Sequence, residues 1–198
     1  MKVGENMNFL KRYLATLLII LVGLVTFQIN RVIASTVEET FIETLYTVTY
    51  EEAAEFDKRI EEDYHDFVVK ELNQAPNLPL MPVILVSFES QYMTNLINEQ
   101  FDSLVEADYL EKLLINGDLT RIYVYAYEHQ ANYSVVDLNM ISETLEDDLI
   151  KQKWSFTIVE QDTNQNETTT WELEALFNRS ATSNLLTHFE LTQDSPFK

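Results

Sequence analysis

The sequence predicts an α+β domain in which N-terminal helices pack on a curved, mostly antiparallel sheet of about five strands, behind one hydrophobic N-terminal segment. Three observations predict it. Apolar residues recur at helical spacing through the first half of the chain, and the period switches to two after Asn116-Gly117-Asp118. The extreme N-terminus is a basic-led, uncharged run unlike anything downstream.

That leader comes first. Lys2, Lys11 and Arg12 precede the stretch from Tyr13 to Asn30, which carries no charge. Basic residues on the leading side hold that end in the cytoplasm, so everything after residue 31 is expected to be translocated. The strongly apolar part, Leu14 to Phe27, is short for a membrane span and suits a signal segment, and Val32-Ile33-Ala34 before Ser35 suits cleavage. The longer uncharged run and Arg31 suit a retained anchor. Both readings divide the chain into a tail plus anchor or signal peptide at 1–34 and an extracytoplasmic domain at 35–198.

Thr36 with Glu39 has capping-box spacing, and Val37, Phe41, Leu45 and Val48 trace one face of a first helix. A second, from about Tyr50 to Leu72, carries Phe56, Ile60, Tyr64, Phe67 and Leu72 at helical spacing, with acids on its other faces. Pro76, Pro79 and Pro82 place an extended connection at 73–82. A third helical region is predicted from about Phe88 to Leu114, ended by Gly117 in a positive-φ turn. Five strands follow: Leu119 to Glu128, Tyr133 to Ile141, Lys151 to Glu160, Thr169 to Phe177 and Leu185 to Thr192. Their alternation directs Trp154 and Trp171 toward a protected face.

Composition narrows the function. An apolar fraction of 46% with ten Tyr and eleven Phe argues for a packed core. The chain has no cysteine, which excludes disulfides, a lipidated cysteine and thiolate-ligated metal. Beyond Ala34 there are nine basic and 32 acidic residues, a net charge of −23. A surface of that sign repels phosphate backbones and anionic lipid faces, so nucleic acid is not an expected partner.

Candidate chemistry is sparse. Asp63-Tyr64-His65-Asp66 sets a histidine among carboxylates, but neighbours on a helix point about 100° apart and do not converge. His129 and His188 stand alone in the sequence, so no metal is expected. Glu143, Glu146, Asp147 and Asp148 read as a solvated acidic turn, because the glycine-bearing order of a calcium loop is missing. No nucleophile elbow or phosphate-cradling glycine loop occurs, and no cofactor is expected. On the predicted first strand, Tyr123, Tyr125 and Tyr127 share one face and are the candidates for contact with a partner, since tyrosine is enriched at interfaces.

The order of elements resembles the nuclear transport factor 2-like (cystatin-like) superfamily, extracytoplasmic Gram-positive type. The residues carrying the resemblance are the opening helix from Val37 to Thr47, then Lys153-Trp154-Ser155-Phe156, Trp171-Glu172-Leu173-Glu174 and Phe189-Glu190-Leu191. The layout is also similar to the bitopic assembly-factor branch of type IV secretion and conjugation systems. That resemblance implies a non-enzymatic scaffold in the bacterial cell membrane, with its domain on the extracytoplasmic side (or secreted if cleaved after Ala34). Protein partners or self-association are implied with it. The alternatives are a peptide- or ligand-binding module using the sheet cavity, and an enzyme using His65 or a cavity carboxylate.

Overall fold

The structure is a computed structural model that describes residues 36–74, 90–164, 167–194 and 196–197. The leader with its cleavage site, and nearly all of the proline-rich connection, lie outside the described residues. Among those described are five helices: α1 (Val37–Tyr46), α2 (Tyr50–Gln74), α3 (Gln91–Phe101), α4 (Ala107–Ile115) and α5 (Arg121–His129). Four strands follow: β1 (Ala131–Glu146), β2 (Leu149–Asp162), β3 (Thr168–Ser180) and β4 (Leu186–Leu191). They form one antiparallel meander in the order β1-β2-β3-β4.

The first two helices start where the sequence places them. α1 begins immediately after Thr36 and buries Phe41, Ile42, Leu45 and Tyr46. Thr49 and Glu52 form a reciprocal box at the start of α2: the Thr49 amide donates to Glu52 Oε2 at 2.8 Å and the Glu52 amide to Thr49 Oγ1 at 3.2 Å. Phe56 is buried, whereas Tyr64 and Val69 further along α2 are exposed. Among its described side chains, the core contacts come from the first part of this helix, through Ala53, Phe56 and Ile60. Its acidic face is held by Arg59, which donates to Glu55 at 2.7 Å and to Glu62 at 3.2 Å.

Two predicted elements are corrected. The third helical region is two helices, because residues 102–106 leave helical geometry to pair with β4. The Leu186 amide donates to Leu104 O and the Glu106 amide to Leu186 O, both at 2.9 Å. The second correction removes the first predicted strand: residues 121–129 are α5, which reduces five strands to four. The run Ile-Tyr-Val-Tyr-Ala-Tyr is amphipathic at both periods, a known ambiguity of short apolar runs. As a helix it buries Ile122, Tyr123 and Ala126 on one face. Gly117 adopts φ 73° in the turn between α4 and α5, as predicted.

The sheet alternates cleanly. Gln152, Trp154, Phe156 and Ile158 of β2 and Leu173, Ala175 and Phe177 of β3 are buried beneath the helices. Trp154 is 3% exposed, while Trp171 shares its face but is only half-buried, stacked 6.3 Å from Tyr133. The core centres on Phe41, whose ring meets Phe101 edge-on at 5.5 Å and Phe177 at 6.0 Å. No helix of the described residues is long and apolar enough to cross a membrane.

Candidate functional site

An open meander has two edges, and each presents unpaired main-chain groups to whatever approaches. On β4 the edge is sealed. Residues 104–106 bond to Leu186, and further along the Tyr109 hydroxyl donates to Phe189 O at 2.9 Å while accepting from the Phe189 amide at 2.7 Å. One phenol thus satisfies both main-chain groups of an edge residue.

The β1 edge differs along its length. At its start Tyr133 exchanges two main-chain bonds with Val48, 3.1 and 2.8 Å. Beyond that bridge, no described backbone outside the sheet is hydrogen-bonded to β1. Residues 139–148 are all exposed, on both faces of the strand. Four large apolar side chains are among the exposed ones on β1: Val136, Met140, Ile141 and Leu145, the last three at 51%, 50% and 71%. The register shifts between Val136 and Asn139 and again between Met140 and Ser142, and Asp137 adopts φ 52°. These bulges bend the strand and leave 142–146 as the regular portion of the free edge. Asp147 and Asp148, at φ 46° and 66°, make the two-residue turn of a type I′ hairpin. The acidic residues read as a turn therefore divide: Asp147 and Asp148 are the turn, while Glu143 and Glu146 belong to β1.

The tyrosine candidates do not form a common face. Tyr123 is buried, stacked 4.7 Å from Phe56, and its hydroxyl accepts from Gln100 Nε2 at 3.2 Å. Tyr125 is partly buried against Phe197 at 5.3 Å and His129 at 5.1 Å. Tyr127 is the exposed one, stacked on Tyr50. At about 100° per residue Tyr125 points roughly 200° from Tyr123, whereas Tyr127, one turn on, stays on the side of Tyr123 that faces α2, so the three do not share the single face that a strand would give them.

The histidine cluster separates as expected. His65 is exposed, whereas Asp63 turns toward α3 and accepts from Ser90 Oγ at 2.7 Å and the Tyr92 amide at 2.9 Å. Ser90 is itself the N-cap, accepting from the Met93 amide at 3.1 Å. These bonds, the Tyr92 amide first and the Ser90 hydroxyl second, hold the Asp63 carboxyl below its ordinary value. A depressed carboxyl stabilises the fold above its unfolded pKa, and that contribution disappears as pH falls through the folded value. Asp63→Asn is expected to cost about 1–2 kcal/mol at neutral pH, the scale of a charged cap bond. In thermal unfolding across pH, the gap between the two proteins should close in acid below about pH 4. A gap independent of pH would contradict the tether.

A grouping invisible in the sequence joins α5, β1 and β2. His129 Nδ1 lies 3.6 Å from a Glu160 carboxylate oxygen. Burial first, and the Glu160 carboxylate second, push the Tyr133 hydroxyl upward. At 3.6 Å the histidine pair is an ion-pair distance rather than the shorter hydrogen bond that aligns a general base. A cavity of about 290 Å³ opens between β4 and the helices, lined by Tyr46, Asp118, Arg121, Phe189, Asp194 and Phe197 among others. Arg121 closes one side, reaching Asp118 at 3.6 Å and donating to Phe197 O at 3.4 Å.

The chain matches no protein-family model, no curated protein and no solved structure. The site must be judged on its own geometry. Among the described residues no group of three or more histidine, aspartate or glutamate side chains is arranged to hold a metal ion. Sequence reasoning missed Val136, Met140, Ile141 and Leu145. The signal available was their size: large apolar residues within a stretch otherwise polar and acidic.

Proposed function

We propose that the domain is a non-enzymatic extracytoplasmic scaffold that works by associating with other proteins, as a component of a bacterial secretion or conjugative transfer complex. The observation that carries the association reading is the contrast between the two sheet edges. Tyr109 and residues 104–106 seal β4, while no described backbone outside the sheet pairs with 142–146 of β1, beside the exposed Met140, Ile141 and Leu145. An edge left open and apolar is an aggregation hazard unless a partner covers it. The membrane-held topology, and the nuclear transport factor 2-like ancestry behind the secretion assignment, are proposals from the leader and the order of elements.

A cell-based comparison tests this reading. Met140→Lys with Leu145→Lys should abolish function while changing stability by less than about 0.5 kcal/mol, because both side chains are exposed. His65→Ala should leave function intact. The reverse pattern, with unchanged stability, would replace the scaffold reading by the catalytic one. A second reading, a ligand-binding module, is favoured by the cavity beside Arg121 and Phe197.

A further inference from the structure

The open edge of β1 has a readable hydrogen-bonding phase. Tyr133 directs both its main-chain groups outward, to Val48. At the other end, the two-residue turn closes on the Glu146–Leu149 pair, which must be hydrogen-bonded within the hairpin. Its neighbour Leu145, opposite Ile150, therefore points its N–H and C=O away from β2, and so does Glu143, opposite Gln152. Counting from Tyr133 through the two bulges leads to the same phase. Two residues thus offer two donors and two acceptors along a short, regular stretch. Met140, Glu143 and Leu145 project from the helix-side face, being paired opposite Trp154, Gln152 and Ile150. No described helix reaches far enough to cover Met140 or Leu145.

Charge selects what fits there. From residue 131 to 148 the chain carries Asp137, Glu143, Glu146, Asp147 and Asp148 and no lysine, arginine or histidine. Glu146 is paired with Lys151, and Glu143 accepts from Gln152 Nε2 at 2.6 Å, whereas Asp147 and Asp148, in the turn, form no ion pair with a described lysine or arginine. A second copy pairing edge to edge would bring two of these acidic sets together, and like charges facing across strands are destabilising. We propose that the β1 edge binds an extended, basic segment of a partner protein as an added strand, with alternate apolar residues of that segment packing on Met140 and Leu145. Main-chain bonds to Glu143 and Leu145 supply the pairing, and the acids supply selection and salt dependence. This rests on the association reading above and names the class of partner for the same surface.

The probe is a capped peptide of alternating lysine and valine, seven residues long. It is compared with its glutamate counterpart and with a copy N-methylated on alternate amides. Binding to the full-length protein is measured by fluorescence anisotropy at two salt concentrations. The lysine peptide should bind, weaken at least five-fold from 50 to 300 mM salt, and lose binding on N-methylation. Leu145→Thr, which keeps the outward N–H, should retain binding within a few-fold. Leu145→Pro, which removes that N–H at an edge position tolerant of proline, should lose it. Equal binding by Leu145→Pro and Leu145→Thr would reduce the effect to unspecific charge attraction and overturn strand addition. Equal binding of the glutamate peptide would overturn the basic partner. If no peptide binds but the protein dimerises and cross-links through position 145, the occupant is a second copy; the partner class then fails while association stands. Absence of both peptide binding and dimerisation overturns the proposal, and the cell-based comparison of the lysine variants then decides the broader reading on its own.

Discussion

Replacing Arg179 with Met is expected to destabilise the domain by about 3–5 kcal/mol. Glu38, in the first turn of α1, is fully buried, and Arg179 Nε donates to its Oε1 at 2.7 Å. The second carboxylate oxygen of Glu38 has no hydrogen-bond partner. Arg179 also reaches Asn184, in the turn leading into β4, so one guanidinium ties helix, sheet and turn together. Removing it leaves a carboxylate enclosed with nothing to offset its lost hydration. For a domain of this size the shift in melting temperature is roughly 6–20 °C. The pair itself need not be worth that much, because desolvation consumes most of its attraction. Glu38→Leu combined with Arg179→Met should therefore recover much of the loss. Urea unfolding of the two single variants and the double variant measures the coupling. An Arg179→Met effect below about 1 kcal/mol would mean that Glu38 is not enclosed as described.

Trp154→Ala follows closely, at about 3–5 kcal/mol for a buried indole. More than area is lost. Trp154 Nε1 donates to Gln152 Oε1 at 2.7 Å, and Gln152 Nε2 donates to Glu143 Oε2 at 2.6 Å. This relay carries a hydrogen-bonding demand from the core out to the exposed half of β1, through a glutamine that is itself buried. Trp154→Phe should keep most of the packing but orphan Gln152, costing about 1–3 kcal/mol. Trp171→Ala should cost less than Trp154→Ala, since its ring is only half-buried. Denaturant unfolding ranks the three. If Trp171→Ala were the costlier, the burial assigned to these strands would be inverted.

How much of this was legible depends on the element. α1 and α2 announce themselves through apolar spacing long enough to average out ambiguity, α1 with a cap signal as well, and β2 and β3 through strict alternation around Trp154 and Phe177. The α5 segment reads as a strand in sequence because six residues of alternating tyrosine and aliphatic satisfy both periods, and burial against Phe56 settles the matter only in three dimensions. The break between α3 and α4 was hidden for the same reason: it is made by Leu186, some eighty residues away. The open edge was harder still. A sequence shows that Met140, Ile141 and Leu145 are large and apolar, but exposure depends on the helices stopping short of them, and the sealing of β4 depends on a phenol from α4.

Site-specific photocross-linking in intact cells tests the central claim most directly. A photoreactive phenylalanine analogue is placed in the full chain at Leu145 on the open edge or at Glu190 on β4, both exposed positions. Association through β1 predicts a discrete adduct from position 145 that is lost when Met140→Lys is added, and none from position 190. An adduct from 190 with none from 145, or adducts of equal yield from both, would contradict it.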